Sequence, residues 1–198
     1  MKSYHFKIAA YIILLSFSSC EGLFILDPID PRLPKYTHAG NSTAGALINN
    51  EQWKSVVEWH LFGAPSHKPS FIRYPNDSLV ITFYGTLKSE HKVSIHFSIT
   101  GLEIDEFNNL TKLKGIKIPL NGTTGTASLS TYSESCQEVS GGIGQFYARD
   151  ITVRESGSMI FSGTFGFVIE DEDCGTIEVS YGRFDYVVSQ SHFNIYPG

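Results

Sequence analysis

The stretch Leu79–Ile99, LVITFYGTLKSEHKVSIHFSI, decides the fold class. Leu79, Ile81 and Phe83 alternate with Val80, Thr82 and Tyr84. Beyond Lys88-Ser89-Glu90, Val93, Ile95, Phe97 and Ile99 alternate with Ser94, His96 and Ser98. A period of two puts each set on one face of a strand, and the polar tripeptide between the runs is a turn signal. The stretch therefore reads as two half-buried antiparallel strands.

The same period recurs on either side. Phe161, Phe165, Phe167 and Ile169 share one parity with Gly163, opposite Ser162, Thr164 and Gly166. Turn signals fall at Pro75-Asn76-Asp77, Asn121-Gly122, Gly141-Gly142, Ser156-Gly157 and Asp173 to Gly175. Ile177, Val179 and Tyr181 are apolar at odd positions, whereas Phe184, Tyr186 and Val188 are apolar at even ones. A strand changes face only by inserting a residue, so a β-bulge is expected at Gly182 or Arg183. Phe107, Leu110 and Leu113 break the pattern with helical spacing and predict a short helix or loop between two strands. The fold expected over residues 37–198 is one all-β domain, an antiparallel β-sandwich or partly open barrel.

The first 36 residues are of another kind. A basic start (Met1, Lys2, Lys7), an apolar run from Ile8 to Phe17 and two serines before Cys20 read as a secretory signal peptide over residues 1–19. The run is about ten residues, far short of the roughly 20 that span a bilayer. Phe17-Ser18-Ser19-Cys20 resembles a lipobox, which makes Cys20 the expected site of lipidation and a membrane lipid the expected partner. Two or more acyl chains give stable anchoring, at about 0.8 kcal/mol per buried methylene. Residues 20–36, with Pro28, Pro31 and Pro34, read as a lipidated N-terminus and extended tether. Removal of Lys2 and Lys7 takes the formal net charge from −5 to −7. That acidity argues against nucleic acid or an anionic surface as partner. In an exported chain Cys136 and Cys174 are expected to form a disulfide, contributing roughly 4 kcal/mol on the chain-entropy model.

Motifs for chemistry are sparse. His60, His67, His91 and His96 form no HxH or HExxH arrangement and read as solvent-facing. Glu170-Asp171-Glu172-Asp173 lacks the ligand spacing of a calcium loop and falls in an expected hairpin turn. Gly141-Gly142-Ile143-Gly144 lacks a phosphate-binding lysine and reads as a turn, and no GxSxG elbow is present. Neither cofactor nor metal is expected, and a non-enzymatic protein is favoured over an envelope hydrolase. Trp53, Trp59 and Tyr84, with Tyr74 and Tyr132, are candidate ligand-contact aromatics for a glycan or peptide; the competing reading is core or edge packing. Sequons occur at Asn41, Asn76, Asn109 and Asn121 and read as chance consequences of polar turns in a bacterial chain.

Three ordered stretches carry a resemblance. They are Leu33-Pro34 with Thr37, Gly40, Asn41, Gly45 and Ile48 to Trp53; Ile160 to Phe167 (IFSGTFGF); and Cys174 to Val179 closing with Gly182-Arg183-Phe184-Asp185. Together they resemble the DUF6252 family of small Bacteroidetes lipoproteins of unknown function, across essentially the whole mature chain. The resemblance implies an all-β lipoprotein of the cell envelope and brings no activity. In such lipoproteins an acidic run after the lipidated cysteine is associated with export to the cell surface. Here only Glu21 is charged before Asp27, and the resemblance therefore implies the periplasmic side of the outer membrane. Asn49-Asn50-Glu51 and Val187 depart from the family pattern and affect local hairpin details. Arg183 and Asp185, where the parity changes, read as an ion pair or bulge lock.

Overall fold

The computed structural model describes residues 25–57 and 67–197. The expected signal peptide, Cys20 and Trp59 lie outside them. Eleven strands follow in order: β1 (Thr43–Ile48), β2 (Glu51–Val56), β3 (Ser70–Tyr74), β4 (Ser78–Leu87), β5 (Lys92–Thr100), β6 (Ile116–Leu120), β7 (Gly125–Ser130), β8 (Glu138–Val153), β9 (Met159–Asp171), β10 (Gly175–Val188) and β11 (Phe193–Ile195). The stretch that decides the fold forms β4 and β5, paired antiparallel from Ser78↔Thr100 to Thr86↔Lys92. That pairing closes the sheet, because its path runs β4-β2-β1-β10-β9-β8-β7-β5. The result is an eight-stranded antiparallel barrel. β3 extends alongside the first half of β4, β6 lies beside β8, and β11 adds a three-residue parallel pairing to β3.

Closure requires the long strands to bend, and three bulges supply the bends. Pairing jumps one residue between Ala127/Leu129 of β7 and Val139/Gly142 of β8, between Tyr147 and Asp150 of β8, and between Val179 and Gly182 of β10. The β10 bulge lies just before Gly182, with Tyr181 in the left-handed region at φ 54°. The Gly141-Gly142 pair, read as a turn, instead lies inside β8. Gly141 takes φ 86° at the bulge, and Gly142 packs against Ala127 and Phe167. Phe107–Leu113 is a 3₁₀ helix whose Phe107, Leu110 and Leu113 are buried, as their spacing indicates.

The interior is solid. Phe83, Phe97, Phe146, Phe161, Phe165, Phe184 and Tyr186 form one aromatic cluster, with Phe97–Phe146 centroids 4.7 Å apart and Phe161–Phe184 4.9 Å apart. Each buried ring contributes about 1.5–3 kcal/mol of transfer free energy. Gly163 faces Phe184 across the β9–β10 pair, and a Cβ there would stand 2.6 Å from the ring. The outward parity of β4, β5 and β7 carries Thr82, Ser94, His96, Ser98, Thr126 and Ser128. This wall is apolar inside and mostly polar outside, whereas Ile143 and Val153 of β8 and Val168 of β9 are exposed on the outer face.

The segment read as an extended tether is folded onto this wall from residue 25 onward, which corrects the boundary at residue 37. Leu26 and Pro34 pair, Asp27 N–H donates to Leu33 O at 2.9 Å, and Leu33 N–H donates to Asp30 O at 3.0 Å. Leu33 is buried, and Pro34 lies where a Cβ on Gly45 would be. The segment is not extended and free: it forms a closed strap in which Leu33 and Pro34 are buried, Pro34 against Gly45 of β1.

Candidate functional site

Arg183 and Asp185 follow the β10 bulge and face outward, where each holds a different part of the strap. They are not paired with one another. Arg183 Nη1 contacts Asp27 Oδ2 at 2.6 Å and donates to the carbonyl of Pro34 at 3.3 Å. Asp185 is 3% exposed. Its carboxylate accepts from the hydroxyl of Thr37 and from the N–H groups of Ala39 (3.1 Å), Gly40 (2.8 Å) and Asn41 (3.2 Å). Gly40 takes φ 75°, which lets consecutive N–H groups converge on one anion. A buried carboxylate is tolerated because these donors replace its hydration.

Around this lock the fold gathers a histidine, a serine and two carboxylates. His38 Nδ1 lies 2.6 Å from Ser162 Oγ, and Ser162 donates to the backbone carbonyl of Asp150 at 3.4 Å. The Asp150 side chain pairs with Lys114 at 2.7 Å. That lysine's hydrogen bond holds the Asp150 carboxyl below the usual carboxylate range. Tyr36 packs edge-on against His38, with the Arg149 guanidinium over its ring. Burial raises the Tyr36 hydroxyl above the ordinary tyrosine range.

These are the residue types of a hydrolytic triad, but not its geometry. Ser162 is fully buried, so its oxygen reaches no substrate. No carboxylate is among the hydrogen-bond partners of the His38 ring, and Asp185 is occupied by the strap's donors. The cleft between Pro34–Thr37 and Arg183–Asp185 has about 150 Å³ of unfilled space and does not admit a water-sized sphere. What this arrangement does chemically is bind residues 37–41 to the barrel.

The candidate aromatics are not brought together. Trp53 is buried, and its Nε1 donates to Val93 O at 2.9 Å, so it is a core residue rather than a ligand contact. Its indole lies against Gly85, where a Cβ would stand 2.4 Å from the ring. Tyr84 is exposed on the outer face of β4, with its hydroxyl 3.2 Å from Ser70 Oγ. Tyr74 stacks on Tyr196 with centroids 5.0 Å apart. Tyr132 sits elsewhere, at the end of the barrel closed by the disulfide, where its hydroxyl accepts from Asn49 Nδ2 at 3.1 Å.

That end carries two open hollows. One of about 440 Å³ is lined by Arg32, Asn49, Asn50, Glu51, Gln52 and Lys88. Another of about 400 Å³ includes Glu51, Leu87, His91, Tyr132 and Glu134. Glu51 borders both, and its Oε1 accepts from Ser89 N–H at 2.8 Å, joining the β1–β2 and β4–β5 turns. Cys136 and Cys174 are bonded here, linking the β7–β8 loop to the β9–β10 turn.

The histidines are not uniformly solvent-facing. His96 bridges strands on the barrel's outer face, with Nδ1 3.0 Å from Thr82 Oγ1 and Nε2 2.8 Å from Ser130 Oγ. Burial lowers its pKa, partly opposed by Glu138. His67 reaches Thr86, His91 reaches the carbonyl of Thr131, and His60 lies outside the described residues. Asp171 in the acidic turn accepts from the N–H groups of Asp173 and Cys174. Among the described residues no group of three or more His, Cys, Asp or Glu side chains is placed to hold a metal, and no helix is long and apolar enough to cross a membrane. Comparison with protein-family models, curated proteins and solved structures finds no match to this chain.

Sequence reasoning missed Asp27, His38 and Ser162 as parts of one strap-holding surface. Their partners stand more than a hundred residues away in the chain. The one local signal was GRFD at a parity change.

Proposed function

We propose that the protein is a lipoprotein of the bacterial cell envelope, of the DUF6252 kind, held to the periplasmic face of the outer membrane through Cys20. It acts there as a non-catalytic binding or scaffold module. The observation that carries this reading is the double attachment of the strap by Arg183 and Asp185. A chain pulled from Cys20 transmits force into β10 through an ion pair and a buried carboxylate, rather than into a loose linker. The sealed Ser162 and the filled barrel add support, since neither offers a substrate a route to a reactive group. A Cys20→Ala variant is expected to leave the membrane fraction and to lack acyl mass. Quantitative retention of that variant in the membrane would overturn the reading.

A second reading, a glycan- or peptide-binding accessory protein, is favoured by the two hollows at the disulfide end. Amide and charged side chains with one tyrosine suit a polar ligand. Its test is titration of the purified domain with cell-wall glycan fragments. Loss of a measured affinity in Tyr132→Ala would support it, and absence of binding in the wild type would remove it.

A further inference from the structure

The residues nearest the expected anchor form an apolar tip. Ile25, Leu26 and Ile29 are 41, 56 and 93% exposed. They do not belong to a frayed end. Lys35 N–H donates to Ile25 O at 2.5 Å, and Ile29 N–H donates to Asp27 Oδ1 at 2.8 Å, so the closed strap holds these side chains outward while Leu33 points in. Between residues 25 and 32 each charge has an opposite partner: Asp27 with Arg183, and Asp30 with Arg32 at 2.8 Å. Arg183 Nε also donates to the backbone carbonyl of Tyr181 at 3.5 Å, which ties the strap's anchor to the β10 bulge. Singly exposed aliphatics need no explanation. Three on one closed loop, with the neighbouring charges neutralised, match an interfacial anchor with aliphatics below the headgroups.

Chain length identifies the occupant. Because residues 25–41 are held on the barrel, five Cα steps separate Cys20 from fixed structure, a reach of at most about 17 Å. A domain attached that closely lies on the bilayer, strap side down. We propose that Ile25, Leu26 and Ile29 insert into the surface of the bilayer that holds the Cys20 lipid. This orients the barrel with β1 and β10 toward the membrane and β5 and β7 away from it. The proposal rests on the lipoprotein reading above.

The test uses full-length, lipidated protein in vesicles of zwitterionic phosphatidylethanolamine and phosphatidylcholine, with an apolar photoreactive diazirine dissolved in the bilayer and peptide mapping by mass spectrometry. Label is expected on the peptide carrying Ile25–Ile29, and not on the one spanning Lys92–Thr100. A triple Ile25→Ser, Leu26→Ser, Ile29→Ser variant should lose the label in its strap while keeping the acyl mass on Cys20 and the disulfide. Label on Lys92–Thr100, or none on Ile25–Ile29 of an acylated wild type, would overturn the orientation. An unmodified Cys20 in wild type would instead overturn the anchoring reading, and the orientation with it.

Discussion

Replacing Asp185 is expected to release the strap before it unfolds the barrel. Oδ2 accepts from Thr37, Ala39 and Asn41, whereas Oδ1 accepts from Gly40. In Asp185→Asn the amide oxygen takes the richer Oδ2 position, and the new NH₂ then faces the Gly40 N–H. Three charge-assisted bonds become neutral and one becomes a donor–donor contact, at about 1 kcal/mol each. Easier desolvation of an amide offsets part of this, leaving a net cost of about 2 kcal/mol. Asp185→Ala strips four donors of their acceptor at once and should cost about 4 kcal/mol. Urea unfolding at neutral pH, followed by circular dichroism, reads both values. Trypsin reads the location: cleavage after Arg32 and Lys35 should accelerate in Asp185→Ala under conditions where the barrel stays folded. A cost below about 1 kcal/mol for Asp185→Ala, with unchanged cleavage, would refute the view that this carboxylate holds the strap.

Three further outcomes are expected. Cys136→Ser with Cys174→Ser should lower stability by about 4 kcal/mol, since the closed loop has a sequence separation of 38; equilibrium unfolding of the oxidised wild type against the double variant measures it. Gly85→Ala should cost about 1–3 kcal/mol by overpacking against the Trp53 ring, seen as a lower Tm. Burial lowers the pKa values of His96 and His192, with Lys68 adding to the effect at His192. A depressed folded pKa means the unfolded chain takes up protons first as pH falls. The stability these histidines contribute is complete above their ordinary value of 6.5 and is lost as pH drops through the lowered folded values. Urea midpoints from pH 8 to pH 5 should fall accordingly, and less so in His96→Gln.

The all-β class was legible because each barrel strand buries one face, so every second residue of Leu79–Ile99 reports which way it points. Burial of Trp53 was legible by the same rule, since Trp53 and Ser55 share the inward parity of β2 against Gln52 and Lys54. The same parity decides between the two readings of Trp53, core packing and ligand contact, in favour of the core. Closure was not legible. It depends on β4 pairing with both β2 and β5, which no local pattern shows, although the parity change between Val179 and Phe184 did mark the β10 bulge just before Gly182. The strap was least legible of all. Local composition rich in proline is the same for a free tether and a docked loop, and what separates them is Asp185 and Arg183, about 150 residues downstream.

A barrel filled with rings has consequences for where any partner binds. The Tyr147 carbonyl and the Phe184 ring occupy the space at Gly163, and the Trp53 ring the space at Gly85, so neither glycine leaves room for a ligand. Emptying the interior would require removing several rings, each at about 3–5 kcal/mol, a cost comparable with the whole stability of a domain. Partners must therefore meet the outside. There the strap covers part of β1 and β10, and serines and threonines with His96 line the opposite wall. The disulfide-closed end remains as the face with open polar hollows. If the strap side lies on the bilayer, that end stands at the flank of the barrel. A partner there would be met in the plane of the membrane, which suits a neighbouring envelope protein or cell-wall strand better than a freely diffusing solute.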